Sequence, residues 1–209
     1  MKKIILTFWT LLITIILLGQ DFEGKITYTN SYKSNNPQVS DTQWSTFMGN
    51  KYEYFIKGGS YKTTANGTLL QWQLYVNKDN KLYTKMANSE AVFWNDGATN
   101  PDSVLNAQIN KGVAKVLGYT CDELILTCKS GTQKYYFNSK LSVTKNLFTK
   151  HKLGNWAEYI SKANALPLKL VIENPQFILE SVATEVVPQK LDAKLFLLPE
   201  GIQTEKSPY

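Results

Sequence analysis

The sequence predicts a mainly β protein, built on a curved antiparallel sheet that carries one or two short helices. Three observations point there. After residue 20, apolar and aromatic residues alternate with polar ones at period two over much of the chain. Short runs rich in Gly, Asn, Asp, Ser and Pro separate those stretches at hairpin spacing. Clear helical spacing occurs in the stretch after Asn155. About ten strands are expected in all, and so many strands cannot stay flat, so the sheet must remain open or curl strongly.

The strands follow in order. Phe22, Gly24, Ile26 and Tyr28 fall on one face of the first, with Glu23, Lys25, Thr27 and Thr29 on the other. Asn30 to Asp41 reads as a loop. Lys51 to Lys57 and Ser60 to Thr64 form a hairpin across Gly58-Gly59. Leu70 to Val76 turns at Asn77-Lys78-Asp79-Asn80 into Lys81 to Met86, and Ala91 to Trp94 adds a short strand. Pro101 to Asn110 is open between a short helix capped by Asp102 and a strand. Val113 to Leu117, Cys121 to Cys128, Gln133 to Phe137 and Leu141 to Thr144 resume the sheet pattern. Asn155-Trp156-Ala157-Glu158 has the spacing of a capping box, with Trp156, Tyr159, Ile160 and Ala163 on one helical face. Pro167 cannot continue that helix, and the chain passes into Leu168 to Glu173, Phe177 to Val187 and a closing strand from Lys194 to Leu198.

Residues 1–20 read as a secretory signal peptide. Lys2 and Lys3 precede an apolar stretch, Ile4 to Leu18, that is short for the roughly 20 residues a membrane-spanning helix needs. The alternative is an uncleaved amino-terminal anchor. Cleavage predicts a periplasmic or secreted protein, with a single β-rich domain over 21–201 and a tail over 202–209. Losing Lys2 and Lys3 leaves 21 lysines against 17 acidic residues, a net charge of +4. The chain has no arginine. Arginine supplies the planar fork that suits phosphates and base edges, so no nucleic-acid partner is expected. The lysines are scattered and read as solvated charge at strand ends and edges, with peripheral contact to an anionic membrane open to them.

Catalytic patterns are sparse. The one histidine, His151, lies between Lys150 and Lys152 and is expected at the surface. A hydrolase would need it within about 3 Å of a Ser or Cys, and no Gly-x-Ser-x-Gly motif occurs. No HExxH, CxxC, phosphate loop or dinucleotide fingerprint is present, so no metal and no cofactor are expected. Cys121 and Cys128 on one straight strand would stand roughly 23 Å apart, too far for a disulfide unless the chain bends between them. Buried free thiols are the favoured reading, with the disulfide as the alternative.

The aromatic content is the strongest indication of binding: five Trp, twelve Tyr and nine Phe. Trp72, Tyr83, Phe93, Trp94 and Trp156 are candidates to line a concave apolar pocket covered by the helix from Trp156, the alternative being ordinary core packing.

Four segments also carry a resemblance: Asp21-Phe22-Glu23-Gly24-Lys25-Ile26-Thr27-Tyr28, Ile56-Lys57-Gly58-Gly59-Ser60-Tyr61, Leu117-Gly118-Tyr119-Thr120-Cys121 and the closing Leu195-Phe196-Leu197-Leu198-Pro199-Glu200-Gly201. Together they resemble uncharacterised exported proteins of Bacteroidetes, which are similar to the LolA/LolB-like lipoprotein carrier superfamily. That resemblance implies an incomplete β-barrel around an apolar cavity with helices across its opening. It also implies a lipid or acyl chain as ligand. The functional expectation is a non-enzymatic exported binding protein for a lipid-like or hydrophobic ligand, the alternative being a structural or protein-interaction module of the envelope.

Overall fold

A computed structural model describes residues 21–208. The leader and its cleavage site lie outside the described residues. Within them, twelve strands form one open sheet and two short α-helices pack on it.

The strands are β1 (Gly24–Ser34), β2 (Lys51–Lys57), β3 (Ser60–Ala65), β4 (Leu70–Val76), β5 (Lys81–Met86), β6 (Val92–Asp96), β7 (Val104–Val116), β8 (Tyr119–Cys128), β9 (Thr132–Ser142), β10 (Ala165–Glu173), β11 (Phe177–Pro188) and β12 (Thr204–Lys206). Their order across the sheet is β12-β6-β5-β4-β3-β2-β1-β11-β10-β9-β8-β7. Two meanders, β1 to β6 and β7 to β11, are joined where β11 returns to pair with β1. All neighbours are antiparallel except β12, which runs parallel to β6. The hairpin predicted at Gly58-Gly59 forms with φ of +53° and +83°, values that glycine adopts without the Cβ clash other residues meet.

Several expectations need correction. The loop expected from Asn30 begins later, because β1 continues to Ser34 with its main chain paired to Phe177 of β11. Helix α1 (Asp41–Met48) follows, and sequence reading missed it. Its signal is the box Ser40-x-x-Gln43: Ser40 Oγ accepts from the Gln43 N–H at 3.2 Å, and Gln43 Oε1 accepts from the Ser40 N–H at 2.8 Å. The open alternative at Pro101 to Asn110 resolves as strand β7. The closing strand expected at Lys194 to Leu198 is instead a short 3-10 turn, Ala193–Phe196, started by Asp192 accepting from the Lys194 N–H. Residues read as tail supply β12.

The core has two parts, one on each face of the sheet. The larger contains Ile26, Ile56, Tyr75, Leu124, Leu126, Leu166 and Leu168, covered by helix α2 (Trp156–Ala163) and the turn Lys145–Phe148. The smaller, built on Leu74, Tyr83, Val92 and Phe196, lies under the carboxy-terminal segment on the far side of β4 to β6. This two-sided arrangement decides where the candidate residues go.

Candidate functional site

Alternation along β2, β3 and β4 brings Tyr54, Tyr61 and Tyr75 to the face beneath α2. Tyr54 and Tyr61 stack at 5.2 Å between ring centroids, and Tyr61 and Tyr75 at 5.3 Å. His151 completes the stack, with its ring 3.9 Å from Tyr75 and tilted by 11°. Its Nε2 shares a 2.8 Å hydrogen bond with the Tyr61 hydroxyl. Its main chain is tied at both ends: the His151 N–H donates to Phe148 O, and the Ala157 N–H of α2 donates to His151 O.

The surface position expected for His151 is therefore wrong. The residue is 1% exposed, although the lysines on either side reach solvent. Burial lowers its pKa to about 4, because the charged imidazolium would lose its hydration. Burial likewise pushes Tyr75 up to about 12 and Tyr61 further in the same direction. The Nδ1 of His151, the hydroxyl of Tyr54 and the Nε1 of Trp156 are buried without a hydrogen-bond partner among the described residues.

The five aromatics proposed for one pocket are divided by the sheet. Trp72, Tyr83 and Trp94 pack into the smaller core, and two lysines lie over their rings: Lys62 Nζ is 5.5 Å from the centroid of Trp72 and Lys81 Nζ 3.8 Å from that of Trp94. Phe93 alternates with Trp94 and points to the opposite face. Trp156 starts α2 in the larger core, 6.0 Å from Tyr61 and 5.3 Å from Tyr159. A single pocket lined by all five does not form, since successive strand residues face opposite ways.

The capping box expected at Asn155 does not form either. Asn155 is left-handed, with φ of 64°, and its side chain makes no cap. It is turned inward, where Oδ1 accepts from Asn100 Nδ2 at 2.6 Å and Nδ2 donates to Cys128 Sγ at 3.3 Å. Cys121 and Cys128 both lie on β8, free and buried. Burial raises both thiols, Cys128 to about 11, the reverse of what an attacking thiolate needs. Among the described residues no three His, Cys, Asp or Glu side chains gather as a metal site would require.

A groove of about 870 Å³ opens between β7 and α2, lined by Val104, Leu105, Ala107, Asn155, Ala157 and Glu158, with Lys145 and Lys152 among its further lining residues. None of the five proposed aromatics lines it. Beside it, strand β7 ends the sheet, with β8 as its one neighbour among the described residues. Leu105 is 65% exposed there, and Ile109, Val113 and Leu117 in the turn beyond are also exposed. In the sequence Leu105, Ala107 and Ile109 alternate with Asn106, Gln108 and Asn110 as strand residues do, but alternation does not show that this strand ends the sheet and leaves its apolar side chains uncovered.

No family model matches the sequence, and no curated protein matches it. Solved structures that are similar in part include the following two. PNGF-II, solved in space group P21, aligns at a TM-score of 0.48 with 12% identity, over 89% of this chain and 32% of its own. The chain thus spans about a third of that protein's length. LprF from Mycobacterium bovis aligns at a TM-score of 0.35 with 11% identity, over 81% of this chain and 88% of its own.

Proposed function

We propose that this chain is an exported, non-enzymatic binding protein of the cell envelope that holds an apolar ligand against strand β7 and the adjoining groove. The observation that carries this reading is the row of large apolar side chains left uncovered on and beside one edge strand: Leu105, Ile109, Val113 and Leu117. Exposed apolar residues scattered singly are ordinary, but a group along a free sheet edge marks a contact surface. The leader supports export, and an open sheet with helices against one face agrees with the architecture that the LolA/LolB-like resemblance implies. A lipid-like ligand would lay its chain along this strip. A second reading, a protein-interaction module, is favoured by the use of the tyrosines and tryptophans as packed core.

The test places a photo-crosslinking phenylalanine analogue at Leu105 and, as a control, at exposed Lys33 of β1. Irradiation in intact cells followed by mass spectrometry identifies lipid and protein adducts separately. Adducts at Leu105 well above those at Lys33 are expected. Equal or absent adducts at the two positions would sink the reading.

A further inference from the structure

Building on the second, protein-interaction reading of β7 as the contact surface, we infer that its partner is an extended polypeptide segment with acidic side chains, which adds to the sheet alongside Asn106–Asn110. β7 ends the strand order, so among the described residues the main-chain N–H and C=O groups along its outer side have no strand partner. Edge strands normally carry charge or bulges that discourage pairing. Here Asn106–Asn110 carries no charge and pairs with β8 in unbroken register, with a register shift on either side of it, between Val104 and Asn106 and between Asn110 and Ala114. Between Asn110 and Ala114 the register with β8 shifts in a bulge. Gly112 holds the bulge at φ +63°. Asp122 ties it down by accepting from the Gly112 N–H at 3.0 Å and from Lys111 Nζ at 2.7 Å. The bulge therefore sets one end of the pairing surface.

The groove selects the charge of the partner. Lys145 and Lys152 are exposed and belong to no ion pair among the described residues. The one carboxylate in the lining, Glu158, is already held by Lys162 at 3.2 Å. A strand laid along β7 sends alternate side chains to opposite faces, so one set reaches over Leu105 toward the two free ammonium groups. Acidic side chains on that set match them, and main-chain pairing supplies the remaining affinity, as in other strand-addition complexes. A second copy of β7 fits less well, because Val104–Val116 contains Lys111 and Lys115 and no carboxylate.

The experiment measures fluorescence anisotropy of the purified protein with three labelled nine-residue peptides. One alternates valine and glutamate, one alternates valine and lysine, and the third is the first with alternate amides N-methylated. Saturable binding of the glutamate peptide alone is expected, weakened at least tenfold by the exposed double substitution Lys145→Glu and Lys152→Glu. Equal binding of the glutamate and lysine peptides, undiminished binding of the methylated peptide, or no binding at all would overturn the inference. A dimer in sedimentation that dissociates on Leu105→Glu would overturn it in favour of a second copy. Lipid adducts at Leu105 without peptide binding defeat this inference and leave the broader binding reading standing, whereas absence of adducts removes the latter.

Discussion

His151 is held by partners far away in the chain. Its ring is sandwiched against Tyr75 and bonded to Tyr61, while its main chain joins the turn before α2 to the helix itself. The consequence for stability follows from where the proton goes. The unfolded chain protonates near the ordinary value of about 6.5, whereas the folded chain resists until about 4. Between those values the unfolded state holds more protons, so stability is full above the upper value and is lost as pH falls through the window. The loss approaches roughly 3 kcal/mol at the acid end. Thermal melts between pH 7.5 and 4.5 should show this loss in the native protein and a flatter profile in His151→Phe, which keeps an aromatic ring but cannot be protonated. Parallel profiles for the two proteins would refute the assignment.

At the level of single elements, the hairpin joining β7 to β8 contains a local conflict. Val116 pairs with Tyr119 across a two-residue loop, Leu117-Gly118, whose φ values are +49° and +80°. That loop suits Asn-Gly, and a leucine there meets the steric cost of the left-handed region while leaving its side chain exposed. Leu117→Asn is therefore expected to stabilise the protein by about 1 kcal/mol, read as a higher urea midpoint with unchanged slope. A lower midpoint would show that Leu117 makes a contact worth more than the strain. Helix α1 is the contrasting case, where local chemistry and fold agree: Ser40 and Gln43 cap it reciprocally, and Trp44 Nε1 donates to Ser34 Oγ to fasten it to the end of β1.

On the scale of the whole molecule, an open sheet has two edges and the chain treats them differently. At one end β12 covers β6, pairing Thr204 with Val92 and Lys206 with Trp94. At the other end β7 is left free. Deleting residues 204–209 should expose the main chain of β6 and raise concentration-dependent association in light scattering. An unchanged monomer would mean that the carboxy-terminal segment over Phe196 is sufficient protection.

The β class, most strand positions, the Gly58-Gly59 hairpin and helix α2 were legible in the sequence, because period-two and helical patterning and turn chemistry act between near neighbours. Helix α1 was legible in principle through Ser40-x-x-Gln43. The burial of His151 was not, since Tyr61 and Tyr75 approach it only through the folded sheet and its own neighbours are lysines. Nor was the separation of Trp72, Tyr83 and Trp94 from Trp156, because alternation tells which residues share a face and not which cover lies over it. By itself, then, the sequence determined local conformation, the absence of arginine and the aromatic supply of the core. Only the tertiary structure decided which aromatics meet, which edge stays free and where the groove opens, because those depend on strand order and on contacts between residues distant in the chain.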